Sequence, residues 1–131
     1  MIVVDSSALI AILLRESDHL QFATAISDAE SLCIASPNVL EFSMVAIGRF
    51  GHEGGLMAQA LLAQTELVVV PFDNQHVSLA IEAFLHFGRG RNHPARLNYG
   101  DCMAYALAKS LDAPLLFKGN DFSQTDVKCA I

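Results

Sequence analysis

The sequence predicts an α/β fold, a three-layer α/β/α sandwich around a central, mainly parallel sheet of four to five strands. Short apolar runs alternate along the chain with longer segments whose apolar residues recur at helical spacing. The short runs are apolar throughout, which is typical of parallel strands covered on both faces. The 131 residues are 53% hydrophobic and 17% charged, which suits a single domain spanning residues 1–131 and excludes disorder.

The predicted strands are short and bounded by polar residues or proline. The first ends directly before Asp5, so a carboxylate follows a buried strand. The third is a Leu-Val-Val-Val run that stops at Pro71. At the end of the chain Val127, Cys129 and Ile131 alternate with polar or small residues, which predicts an edge strand. The four apolar strands are predicted at residues 2–4, 32–35, 67–70 and 115–117.

The helices are predicted from periodicity together with their start and stop signals. Ser36 is a suitable N-cap for the third helix and Pro37 a favoured first helical residue, with an end near Gly51. Gly54 and Gly55 interrupt the next pattern, so the fourth helix is expected to begin after them. The predicted helices cover residues 7–14, 18–29, 36–49, 56–64, 74–87 and 100–111.

One long loop is predicted, at residues 88–100, because glycines, a proline and polar residues cluster there. Asn98 near its end is a suitable N-cap, and Asp101 three positions later matches the preference for an acidic residue in a first helical turn.

The charge balance needs an explanation. Eight Lys and Arg residues against fourteen Asp and Glu give a formal net charge of −6, whereas a protein with a large nucleic-acid surface is normally basic. Either the partner is not a nucleic acid, or some acids are gathered where a bound cation neutralises them. Two divalent ions would bring the formal charge from −6 to −2.

Cysteine usage and hydropathy predict a cytoplasmic protein without a membrane partner. The longest apolar stretch, residues 8–14, is far shorter than the roughly 20 residues that cross a bilayer. The first residues lack a basic leader, so a secretory signal is not expected. The cysteines are three in number, lack CxxC spacing and have apolar neighbours, which predicts buried reduced thiols at Cys33, Cys102 and Cys129.

Four carboxylates differ from the other acids in their surroundings. Asp5 follows a strand, Glu41 is flanked by apolar residues inside a helix, Asp101 opens an apolar helix, and Asp121 comes shortly after the fourth strand. Burying an unpaired charge costs several kcal/mol, so such groups must be paired, hydrogen-bonded or bound to metal. Only one basic residue, Lys118, is close to any of them in sequence, so a metal is the better counter-ion.

Ligand sites of parallel sheets lie beyond the carboxyl ends of the strands, so these four acids are expected to converge there. A set of oxygen ligands favours Mg²⁺ or Mn²⁺ over zinc or copper. Three of the four also have ordinary structural explanations: Asp5 as a helix cap, Asp101 as a first-turn acid and Asp121 as a turn residue. The metal hypothesis therefore depends on all four together.

Four blocks of the sequence resemble the PIN-domain ribonucleases, most closely the VapC-type toxins of bacterial toxin–antitoxin pairs. The blocks are VVDSSALIAILL, SPNVLEFSMV, LNYGDCMAYALAK and LLFKGNDFSQTD, and they span essentially the whole chain. The last two are specific in this order and spacing, whereas the first alone would be weak. The resemblance implies a PIN-like fold and a Mg²⁺- or Mn²⁺-dependent endoribonuclease whose catalytic and metal-binding residues are Asp5, Glu41, Asp101 and Asp121.

The same resemblance implies supporting residues and partners. Ser7 is expected to hydrogen-bond a ligating carboxylate, and Asn120 and Lys118 are expected to orient Asp121 or approach the phosphate. The alternative explanations are an ordinary turn residue for Asn120 and a solvated side chain for Lys118. Members of the family cut structured RNA, often transfer or ribosomal RNA. They are held inactive by a VapB-type antitoxin whose tail fills the acidic groove, and they commonly form homodimers. We expect the same partners for this chain.

The predicted loop at residues 88–100 carries the only dense positive cluster, formed by Arg89, Arg91 and Arg96 with His93. Contacts from these side chains to phosphates would position RNA without specifying its sequence. A solvated loop without a partner is the alternative explanation.

Two other enzyme-like classes fail at named residues. A receiver domain needs an acidic pair after the first strand, but Ser6 follows Asp5. An aspartate-nucleophile phosphatase needs a second aspartate where this chain has Ser7. The alternative that stays open is a catalytically inactive PIN-like binding module, whose acids hold a structural cation or an antitoxin arginine.

Overall fold

The computed structural model describes every residue of the chain, 1–131, and its elements follow the predicted alternation. The strands are β1 (Ile2–Val4), β2 (Leu32–Ala35), β3 (Val68–Val70) and β4 (Leu115–Leu116). The helices are α1 (Ser6–Leu13), α2 (His19–Asp28), α3 (Ser36–Phe50), α4 (His52–Gln64), α5 (Asn74–Phe87) and α6 (Tyr99–Leu111). A short 3₁₀ helix, Phe122–Gln124, follows β4. None of the helices has the length and apolar character that spanning a membrane requires.

All strand pairs in the sheet are parallel, and the strand order is β3-β2-β1-β4. The register places Val3 opposite Cys33 on one side and Leu115 on the other. From β1 the chain builds outwards through β2 and β3, and it later adds β4 on the other side of β1. The strand order thus reverses at β1, and crevices form at such a reversal beyond the carboxyl ends of the strands.

Successive residues of β1, β2 and β4 enter two different cores, because side chains alternate between the faces of a sheet, whereas the edge strand β3 is largely exposed. Val3 and Leu115 pack in a cluster with residues of α5 and α6. Val4 and Leu116 pack in a second cluster with residues of α1, α2, α3 and α4. The sheet is therefore covered on both faces, and the predicted three-layer α/β/α sandwich is confirmed.

The prediction that Gly54 and Gly55 precede the fourth helix is wrong, because α4 begins at His52 and contains both glycines. A methyl group at Gly54 would overlap the backbone carbonyl of Ala46 in α3. The absence of a side chain at Gly54 therefore allows α3 and α4 to cross closely. The glycine that suggested a break in the helix is used for packing between helices.

Three smaller details differ from the predictions: the end of the chain, the burial of one cysteine and the start of α3. The last residues do not form a fifth strand, because a single bridge joins Cys129 to Leu115. Cys129 is exposed, although it was expected to be buried, whereas Cys33 and Cys102 are buried and all three thiols are free. Ser36 is the first residue of α3 and makes no side-chain cap, so the helix begins one residue earlier than its signal suggested.

Candidate active site

Asp5 connects β1 to α1 and is almost fully buried, with 3% of its surface exposed. It is the N-cap of α1, and its Oδ2 accepts hydrogen bonds from the Ser7 backbone N–H (3.0 Å) and the Ser7 hydroxyl (2.5 Å). The backbone N–H of Lys118 in turn donates to Ser7 Oγ at 3.0 Å. Ser7 thus makes the hydrogen bond expected of it and links Asp5 to the segment after β4.

The other oxygen of Asp5, Oδ1, is buried and has no hydrogen-bond partner. Burial raises the pKa of Asp5 to about 7, although the two Ser7 hydrogen bonds act in the opposite direction. The negative charges of Asp101 and Glu41 contribute to this rise. Asp5 therefore presents an unpartnered oxygen in a place where its own charge is unfavourable.

Glu41 lies on α3 and is held by side chains from two elements. The Ser6 hydroxyl donates to its Oε1, and the Asn38 amide nitrogen donates to the same oxygen at 3.3 Å. The Asn38 nitrogen also donates to the backbone carbonyl of Gly100 at 3.1 Å, joining α3 to α6. A side-chain carbon at Gly100 would overlap Glu41 Oε2, so the carboxylate lies directly against the first turn of α6.

Asp101 lies in the first turn of α6 and forms the predicted cap with Asn98. The Asp101 N–H donates to Asn98 Oδ1 at 2.9 Å, and the Asn98 N–H donates to Asp101 Oδ2 at 2.9 Å. Burial raises the pKa of Asp101 to about 6 against the effect of the Asn98 hydrogen bond. The charges of Asp121 and Glu41 contribute to this rise, and the charge of Arg89 opposes it. Asp101 is thus a capping residue and also a member of the acidic group.

Asp121 is the least fixed of the four acids. It precedes the 3₁₀ helix, is exposed, and its side chain makes no cap hydrogen bond. No hydrogen bond joins Asp121 to Asn120, whose backbone carbonyl instead accepts from Ser123. The Lys118 ammonium pairs with Glu16 and, at 3.0 Å, with Asp18.

The structure places Asp101 and Glu41 near enough to Asp5 to raise its pKa, and Asp121 near enough to Asp101 to do the same there. We call this group of acids beyond the carboxyl end of β1 the acidic crevice. No group of three or more His, Cys, Asp or Glu side chains is spaced to hold a metal ion. Mg²⁺, however, is usually bound by one or two carboxylates and keeps several waters. The unpartnered Asp5 Oδ1 and the purely oxygen-based donor set fit such a hydrated divalent cation.

The basic residues fall into two groups. All three lysines pair with carboxylates, whereas none of the five arginines does. Arg89, Arg91 and Arg96 are exposed in a loop that a bridge between Gly88 and Leu97 closes just before α6. Arg89 is near enough to Asp101 to affect its pKa. The positive loop therefore lies beside the acidic crevice.

Three residues of the crevice were missed by sequence reasoning: Ser6, Asn38 and Gly100. Ser6 is adjacent to Asp5, but only Ser7 of the serine pair was singled out. Asn38 lies three residues before Glu41, a spacing that places both on one face of a helix, and this was the available signal. Nothing in the sequence around Gly100 indicates that its missing side chain makes room for a carboxylate of another helix.

Comparison with known proteins gives consistent matches over nearly the whole chain. A model of the PIN domain matches residues 2–128. Ribonuclease VapC28 of Mycobacterium tuberculosis is 40% identical over 129 residues, covering 98% of this chain and 97% of the relative. Ribonuclease VapC of Mycolicibacterium smegmatis is 41% identical over 125 residues, covering 95% and 96%.

Solved structures show the same fold at lower identity. Mycobacterium tuberculosis VapC20, described as a sarcin-ricin loop cleaving toxin, superposes with a TM-score of 0.78 at 18% identity and covers 97% of this chain and 96% of its own. DNA-bound VapBC from Salmonella typhimurium gives a TM-score of 0.71 at 17% identity, covering 98% and 94%. With its acidic crevice at the carboxyl end of β1, the chain belongs to the PIN-domain family, among the VapC-type proteins.

Proposed function

We propose that this chain is a metal-dependent endoribonuclease toxin that hydrolyses RNA phosphodiester bonds and is inhibited by a cognate antitoxin. The observation that carries the proposal is the unpartnered, buried Asp5 Oδ1 among carboxylates with which no lysine or arginine forms an ion pair. The ribonuclease names of relatives at about 40% identity support it.

In this proposal Asp5, Glu41 and Asp101 hold Mg²⁺ or Mn²⁺, and Asp121 contributes from the open side. The cation supplies, when bound, charge stabilisation of the phosphate and activation of a water molecule. Ser7 fixes Asp5 through Oδ2 and so leaves Oδ1 as the oxygen available to a ligand.

The residues around Glu41 and Asp101 keep the other carboxylates in place. Ser6 and Asn38 hold Glu41 Oε1, and the Asn98 N–H holds Asp101 Oδ2. Fixing charged groups before the substrate arrives reduces the reorganisation that the reaction needs.

We propose that the exposed loop with Arg89, Arg91 and Arg96 contacts RNA phosphates next to the acidic crevice. Its arginines have no carboxylate partners, so their charge is available to a polyanion. Such contacts position a folded RNA without selecting its sequence. The substrate in this proposal is a structured RNA, transfer or ribosomal, in keeping with the sarcin-ricin loop named for VapC20.

We propose two protein partners, a VapB-type antitoxin and a second copy of this chain. The apolar groove between α5 and α6 is lined by large side chains, of which Tyr99 is 83% exposed and Ile81 57%. On α3, Leu40 and Met44 are each 62% exposed. Extended apolar surface of this kind marks protein interaction sites. The similarity to VapBC from Salmonella typhimurium supports an antitoxin partner.

The test is RNA cleavage by purified protein freed of any antitoxin. We expect cleavage in Mg²⁺ or Mn²⁺, none in EDTA, and loss of cleavage in Asp5→Asn and Asp101→Asn with the fold retained. Asp112→Asn is the matched control, because Asp112 is an exposed acid paired with Lys128. Sequencing RNA ends after brief induction would identify the substrate.

Equal cleavage by the Asn variants and the wild type would contradict the proposal. Absence of cleavage by metal-loaded wild type, with the cation still bound, would favour the inactive binding module.

A further inference from the structure

Asn38 is completely buried, and its amide nitrogen donates to two acceptors on different helices. One is Glu41 Oε1 at 3.3 Å, three residues along α3, and the other is the carbonyl oxygen of Gly100 at 3.1 Å in α6. Asn38 Oδ1 has no partner. A buried polar group that is only partly satisfied costs stability, so packing alone does not account for an asparagine here.

Gly100 acts on the same carboxylate from the opposite side. A side-chain carbon at this position would overlap Glu41 Oε2. Gly100 is the second residue of α6. The backbone at Gly100 does not have the positive φ that would require glycine. What the glycine provides at this position is therefore space for the Glu41 carboxylate.

We propose that Asn38 and Gly100 are positioning residues that together place the Glu41 carboxylate against the first turn of α6, where it faces the divalent cation. The inference rests on the proposed function. It makes two residues responsible for the position of Glu41, one of the proposed ligands of the cation. Asn38 holds Oε1 by a hydrogen bond and ties it to the α6 backbone, and Gly100 leaves room for Oε2. Neither residue touches the cation or the RNA in this arrangement.

The test is Mn²⁺ binding to the antitoxin-free protein by isothermal titration calorimetry, with thermal unfolding as a second readout. Asn38→Leu removes both hydrogen bonds at nearly constant shape, and Gly100→Ala displaces the flexible end of Glu41. Loss of a group that orients a metal ligand typically weakens metal affinity by 10- to 100-fold, so we expect the Kd for Mn²⁺ to rise at least about tenfold in each variant.

Gly48→Ala is the matched control. Gly48 also lies within a helix, but a side-chain carbon there meets nothing within 4 Å. We expect its Mn²⁺ affinity to equal that of the wild type. Should Asn38→Leu fail to fold, Asn38→Ser, which is smaller and polar, carries the same expectation.

A second comparison separates positioning from a general structural role. In a Glu41→Gln background the carboxylate is already gone, so adding Asn38→Leu should change Mn²⁺ affinity by less than about twofold if Asn38 acts through Glu41. An equal loss of affinity in both backgrounds would overturn the positioning role. So would wild-type affinity in both Asn38→Leu and Gly100→Ala while Glu41→Gln binds weakly. If the wild type binds no Mn²⁺, the metal site of the proposed function fails and the inference fails with it.

Discussion

Two exposed acids outside the crevice, Asp126 and Asp112, which we call the rim carboxylates, differ from the crevice carboxylates in the source of their counter-charge. At the rim, Asp126 accepts hydrogen bonds from the Tyr105 hydroxyl (2.5 Å) and from Lys109 (3.0 Å), and these lower its pKa. Asp112 pairs with Lys128 at 2.8 Å, which lowers its pKa as well. These acids are ionised with partners that the protein itself provides.

In the crevice the pKa values are shifted in the opposite direction. Burial raises the pKa of Asp5 to about 7 and that of Asp101 to about 6, and no lysine or arginine pairs with either. The sheet order and the caps of α1 and α6 concentrate negative charge, and only Arg89, without forming an ion pair, partly offsets it at Asp101. The comparison teaches that the fold places unfavourable negative charge at one site, and in the proposed function a bound cation compensates it.

The largest expected effect is on the pH dependence of stability in EDTA. Asp5 has a higher pKa in the folded chain than in the unfolded chain. Its protonation therefore adds to the free energy of unfolding in full below pH 4, and this stabilisation is lost as pH rises towards 7. Because each pKa unit corresponds to about 1.4 kcal/mol, we expect a loss of about 4 kcal/mol relative to Asp5→Asn, which lacks this titration. Urea unfolding of both proteins between pH 4 and 8 measures the difference.

Mn²⁺ should abolish most of that difference at pH 8 by stabilising the wild type and not Asp5→Asn. A constant stability difference between the two proteins across the whole pH range would contradict the account of the crevice.

A smaller effect is expected from the unpaired arginines. Replacing Arg89 and Arg91 together by glutamine should weaken RNA binding more at low salt than at high salt, because charge contacts to phosphates are screened. The slope of log affinity against log salt should fall by up to about two. Arg49→Gln, an exposed arginine at the end of α3, is the control. An unchanged salt slope in the double variant would reject the role of the loop.

Next in size is the loss of a rim carboxylate. Asp126→Ala should destabilise the protein by about 1 kcal/mol at neutral pH, because the largely buried Tyr105 loses the acceptor of its hydroxyl. Thermal unfolding with and without Mn²⁺ should show the same decrease in both conditions. A decrease that depends on Mn²⁺ would mean that the rim and the crevice are not independent.

The smallest effect is expected at the most exposed pair. Lys128→Met removes the ion pair with Asp112, and both side chains are largely exposed, so solvent screening leaves little to lose. We expect no measurable change in the unfolding midpoint. A clear decrease in the unfolding midpoint would show that the exposed ion pair contributes substantially to stability, contrary to this expectation.

Periodicity and start signals were sufficient to predict the layers, the four strands of the sheet and the Asn98 cap, because these depend on residues close together in the chain, but they wrongly predicted a fifth strand at the end of the chain. They also located four acids whose neighbours are apolar. The hydrogen bond from Asn38 to Gly100 joins residues 62 positions apart, and the contact of Gly54 with Ala46 depends on how two helices cross. Such contacts follow from tertiary packing, so a local pattern does not contain them.

The most direct test of the central claim is the anomalous diffraction of a crystal of the antitoxin-free protein soaked in Mn²⁺. We predict a peak about 2.1 Å from Asp5 Oδ1, with a second oxygen from Glu41 or Asp101 at a similar distance. A peak only outside the crevice, or no peak at Mn²⁺ concentrations that support RNA cleavage, would contradict it.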